Sequence, residues 1–119
     1  MSWYVTIRSD AGYSRFAATA PLVEFLAGMP ELRPTGPAVF GAAADQPWVV
    51  VIVGACDPSG CYASDGTAPP AVNMVELICS DVADPGWYER VSGRIAEFLG
   101  WSAFDDHEGR QVWPPLAPG

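Results

Sequence analysis

Lysine is missing from this chain, and histidine occurs once, as His107. All six basic residues are arginine, set against fourteen aspartates and glutamates, for a formal net charge of −8. Gripping a nucleic-acid backbone needs clustered Lys and Arg, so direct binding of nucleic acid is excluded. Anionic membranes are repelled for the same reason. The phosphate-cradling loop that ends in Gly-Lys is excluded outright. Cysteine is sparse and odd in number: Cys56, Cys61 and Cys79. Cys56 and Cys61 lack the Cys-x-x-Cys spacing of zinc and redox pairs, so no metal, cofactor or disulfide framework is expected. Met1-Ser2-Trp3 runs straight into strand-like residues with no basic and apolar leader, and a cytoplasmic location with free thiols is the expectation. Long apolar runs are absent as well. The longest stretch of large apolar residues spans 48–53, six residues, where a membrane helix needs roughly 20.

What is present describes one folded domain, residues 1–119. Half of the residues are hydrophobic and five are Trp, a composition that fills a core and does not favour disorder. The stretch 48–55, Trp-Val-Val-Val-Ile-Val-Gly-Ala, has no polar face. β-Branched side chains pack well on a pleated surface, so it reads as a central strand covered on both faces. Residues 3–8 alternate, with Trp3, Val5 and Ile7 on one side. A short helix is expected over 18–28, capped by Thr19, with an apolar stripe of Leu22, Phe25, Leu26 and Met29. Residues 31–37 read as a connector broken by Pro34, Gly36 and Pro37, and 38–43 as a strand forming a hairpin with the central run. A long irregular stretch, 57–70, leads to a strand over 72–79 that is expected to pair antiparallel with 48–55.

The second helix carries the clearest signals. Asp84 caps it, Pro85 takes its first position and Gly100 ends it. Tyr88, Val91, Ile95, Phe98 and Leu99 share one face, Arg94 is spaced to pair with Glu97, and Gly93 suggests close approach of a neighbour. Residues 101–104 and 110–113 read as a last hairpin around the turn Asp105-Asp106-His107-Glu108-Gly109. The order β-α-β-β-β-α-β-β defines an α+β domain: an antiparallel sheet with both helices on one face.

No set of residues adds up to catalysis. His107 has no nucleophile motif beside it, and Ser59 or Cys61 would need one. The acidic turn at 105–108 lacks the alternating ligand pattern of a calcium loop. Asp57 and Asp65 sit where Asp commonly forms turns. Acids and aromatics suit a contact surface for a basic partner instead.

The segments Val75-Glu76-Leu77-Ile78-Cys79, Trp87-Tyr88-Glu89 and Glu108-Gly109-Arg110-Gln111-Val112-Trp113-Pro114 resemble parts of small bacterial immunity proteins, which neutralise toxins delivered between competing cells. The resemblance implies a non-enzymatic antitoxin whose acidic surface occludes the basic active-site cleft of a cognate toxin. The candidate contact residues are Asp57, Tyr62 and Asp65 in the long loop, and Asp105, Asp106, Glu108 and Trp113 in the last hairpin. The competing readings are a small oligomeric structural or regulatory module with an exposed apolar face, and a small enzyme with an unfamiliar site.

Overall fold

Residues Ser2–Arg8 alternate between a buried row, Trp3, Val5 and Ile7, and a row that faces away from the core, and this alternation organises the whole molecule. A computed structural model describes residues 2–55, 70–106 and 109–114. In chain order the elements are β1 (Ser2–Arg8), β2 (Ala17–Ala18), α1 (Thr19–Ala27), β3 (Leu32–Gly36), β4 (Val39–Ala42), β5 (Val49–Gly54), β6 (Ala71–Val72), β7 (Met74–Ser80), α2 (Pro85–Leu99), β8 (Ser102–Asp105) and β9 (Arg110–Trp113). The fold is α+β. Seven strands form one antiparallel sheet in the order β3-β4-β5-β7-β1-β8-β9, and β2 pairs with β6 as a separate ribbon.

The register shows which face of the sheet carries the shared core; on the other face Met74, at the Arg8 end, is also buried. Val5 stands opposite Leu77, which stands opposite Val51, and Phe40 follows across β4. These residues are fully buried and share one core with Leu22 and Leu26 of α1 and Tyr88, Val91 and Ile95 of α2. Both helices therefore cover the same face, and the Phe25 and Phe98 rings stack between them at 4.2 Å. Each such buried aliphatic side chain contributes about 1.5–3 kcal/mol. Val50, Ile52 and Ile78, on the opposite face, are only half-buried and lie outside that core. The expectation that the central run is covered on both faces is thus corrected. So is its place, because β7 and not β5 is the middle strand.

Other differences have local causes. Within 31–37, Leu32–Gly36 forms edge strand β3. An edge strand tolerates Pro34, whose missing N–H also blunts the edge against an added strand. The expected strand over 72–79 is split at Asn73, whose buried amide Nδ2 donates to the Tyr13 carbonyl at 3.1 Å. Here the chain changes partners, from β2 to β5 and β1. Thr19 does not cap α1; the N-cap is Ala18, without a side-chain cap, and Thr19 is buried in the first turn. In α2 the Asp84 carboxylate accepts from Gly86 N at 3.1 Å and Gly100 closes the helix at φ +71°. Arg94 pairs with Glu31 and not with Glu97. A Cβ on Gly93 would come within 3.1 Å of Trp113 Cε3, so the glycine does admit a neighbour.

Candidate functional site

The face of the sheet that neither helix covers is built by the residues that alternate with the core row. Tyr4 lies opposite Ile78, and Ile78 opposite Val50. One step along the strands, Ile52, Glu76, Thr6 and Phe104 form the next row. Trp48, immediately before β5, continues the alternation and is 53% exposed, and Tyr4 is 37% exposed. Trp48 also walls a shallow hollow of about 530 Å³, together with Thr35, Val39, Gly41 and Val50. Tyr4 and Trp48 are thus exposed aromatics of this face, with Ile78 and Val50 half-buried between them.

At the end of this face that carries Trp48 and Tyr4, hydrogen bonds tie the adjoining segments together. The Tyr88 hydroxyl donates to the Trp48 carbonyl at 2.5 Å and accepts from Ser80 N at 3.0 Å, so one side chain of α2 ties the entrance of β5 to the exit of β7. Burial pushes the Tyr88 phenol above its ordinary pKa. Trp87 Nε1 donates to Gln46 at 3.0 Å and fixes the adjoining turn. Exposed Asp45, Asp81 and Asp84 stand on these tied segments, beside Val82, which is 92% exposed. On the other flank the Asp106 carboxylate accepts from Tyr4 N at 2.7 Å and Asp106 N donates to Tyr4 O at 3.0 Å. An apolar centre with a charged, solvated rim is the usual anatomy of a protein contact surface.

Only part of the expected contact set coincides with this face. Asp57, Tyr62, Asp65 and Glu108 lie outside the described residues, as do His107, Cys56 and Cys61. Asp106 is exposed. Asp105 is not in a turn: it ends β8, is 5% exposed on the core side and is 3.9 Å from Arg110 Nε. Burial removes it from any contact surface. Trp113 is half-buried with its indole against Gly93, so its area goes into packing. Tyr4, Trp48, Val50 and Ile78 were missed as site residues, although the period-two alternation of β1 and β7 marks two of them.

The described residues contain no group of three or more His, Cys, Asp or Glu able to hold a metal ion. No helix among them is long and apolar enough to cross a membrane. A second concavity, about 480 Å³ beside α2, is lined by Glu31, Glu89, Arg90, Arg94 and Trp113. Two of its carboxylates are already engaged, Glu31 by Arg94 and Glu89 by Arg110. Cys79 is no nucleophile: burial, and then the negative charges of Asp105 and Asp106, push its thiol up to about 12. Because the thiolate is the reactive form, iodoacetamide at pH 8 is expected to leave Cys79 unmodified in the native protein. It should alkylate Cys79 fully in urea, as peptide mass mapping would show. No protein-family model, curated protein or solved structure matches the chain, so the site is read from its own geometry.

Proposed function

We propose that this protein is an immunity protein that binds a cognate toxin and neutralises it, laying the open sheet face over the toxin's basic active-site cleft. The observation that carries the reading is the one-sided sheet, with Trp48 and Tyr4 exposed, Val50 and Ile78 half-buried beside them, and exposed Asp45, Asp81, Asp84 and Asp106 on the segments at that end. The apolar centre supplies lasting affinity, and the carboxylates with the net charge of −8 speed encounter with a cationic partner. A toxin acting on an anionic substrate carries such a cationic cleft. Binding alone suffices for neutralisation, and no catalytic step is assigned to the chain.

The test is co-expression with the product of the neighbouring reading frame, which this reading expects to carry a toxin domain. The wild-type protein should protect the host cell. Trp48→Ala should weaken binding by about 2–4 kcal/mol, roughly 30- to 1,000-fold in Kd, as truncation of a central aromatic anchor does. Ile78→Glu should abolish protection while leaving the folded protein intact. Full protection by a folded Ile78→Glu variant would sink the proposal. The same apolar face also favours a second reading, self-association, and sedimentation at micromolar concentration separates the two: a monomer supports toxin binding, and a dimer disrupted by Ile78→Glu supports an oligomeric module.

A further inference from the structure

Arg8 stands on the open face at the end away from Trp48, opposite Met74 and Ser102 in register. Its guanidinium lies over two rings, 4.8 Å from the centroid of Phe104 and 5.5 Å from that of Tyr13. Its Nε is buried without a hydrogen-bond partner, and no ion pair joins Arg8 to any acid among the described residues. In a chain with fourteen acids for six arginines, an arginine held by rings and not by a carboxylate is conspicuous. A buried donor left unpaired costs about 1–3 kcal/mol.

The support for this arrangement is also costly. Tyr13 adopts φ +55°, a left-handed conformation uncommon outside glycine. The loop is held there by the Asp10 carboxylate, which accepts from Gly12 N at 3.0 Å, from Ser14 N at 3.1 Å and from the Ser14 hydroxyl. Asn73 fixes the Tyr13 carbonyl from below. These bonds hold Asp10 below its ordinary pKa, the Ser14 hydroxyl first among them. Strained backbone that the surroundings over-determine clusters at binding sites.

We infer that Arg8 is a pre-organised hook for a carboxylate side chain of the docked partner. This rests on the reading that the open face is the docking face. With Nε enclosed, the terminal Nη groups meet the ligand, and their planar fork matches two carboxylate oxygens. A phosphate or nucleic-acid strand fits less well. Arg33, also on this face, is on edge strand β3, four strands from β1, or about 19 Å at the usual strand spacing. It cannot share a phosphate with Arg8, and the net charge of −8 repels a polyanion. The face is therefore polarised: it asks for cations at the Trp48 end and an acid at the Arg8 end.

The test follows the Arg8 Nε–H signal by NMR while sodium acetate replaces sodium chloride at constant ionic strength, with sodium phosphate as the second probe. Acetate should shift the signal saturably. An absent response, or phosphate binding tenfold or more tightly than acetate, overturns the carboxylate assignment. Arg8→Lys keeps the charge and loses the fork, and should weaken binding of the neighbouring reading frame's product at least tenfold with the rest of the spectrum unchanged. Undiminished toxin binding by Arg8→Lys overturns the hook, whereas undiminished binding by folded Ile78→Glu removes the docking face itself. The two failures are thus told apart.

Discussion

Replacing Leu77 by alanine is expected to cost about 2–5 kcal/mol of folding stability, and the same replacement at the next residue, Ile78, roughly 1 kcal/mol at most. The two side chains leave the middle strand in opposite directions. Leu77 is fully buried, flanked by Val5 and Val51 in register, in the core it shares with residues of both helices. Its removal leaves a cavity in addition to the lost transfer energy. Ile78 is half-buried between Tyr4 and Val50, on the face outside the shared core. Urea unfolding followed by tryptophan fluorescence would read both as shifts of the midpoint at unchanged slope. Typical domains have only about 5–15 kcal/mol in hand, so the Leu77 variant loses a large share of its stability. Equal losses at the two positions would mean that both faces are packed, and the case for an open docking face would fall.

That asymmetry bears on function. A small loss at Ile78, half-buried between Tyr4 and Val50, would mean that its area is available for a partner. The same holds for Trp48 and Tyr4, the most exposed aromatics bordering the patch on this face. Stability and protection should separate at these positions and coincide at Leu77.

Much of the fold was legible because local signals agreed with the tertiary outcome. In α2 the cap, the proline and the closing glycine are all where the structure has them. β5 misled because a continuous apolar run has no period: Val49 to Val53 reads as two-sided burial, and only its pairing in an antiparallel sheet with all helices on one side reveals that Val50 and Ile52 face outward. β3 was hidden by Pro34 and Gly36, which oppose strand propensity except at an edge. Asp105 and Asp106 look alike in sequence, yet strand parity puts Asp105 beside Ala103 and Val5 and leaves Asp106 outside. The site was least legible. Trp48 at the start of a strand looks like core rim, and the Tyr13–Arg8–Phe104 stack joins three segments that no local pattern connects.

Tyr88 tests the frame that holds the face, and its truncation to alanine is expected to cost about 3–5 kcal/mol, as for other large buried aromatics. Its ring meets Trp3 and Trp87 edge-on, with centroids 5.5 and 5.1 Å away, so both indoles lose packing. Tyr88→Phe keeps the ring and deletes only the hydroxyl that spans Trp48 O and Ser80 N. That change should cost about 1–3 kcal/mol by leaving both backbone groups unpaired. It should also loosen the tie between β5 and β7, and so weaken toxin binding through Trp48 without touching a contact residue. Alkaline pH provides an independent readout. The Tyr88 phenol and the Cys79 thiol both have folded pKa values raised above their ordinary values of 10.0 and 9.0. A raised folded pKa means that the native state holds its proton more tightly. The resulting stability is therefore complete below pH 9 and is lost as pH climbs through 9 towards about 12. Tyr88→Phe removes the part of that loss that begins near 10, and Cys79→Ala the part that begins near 9. A double variant that still lost stability as steeply over this range would show that neither buried group governs it.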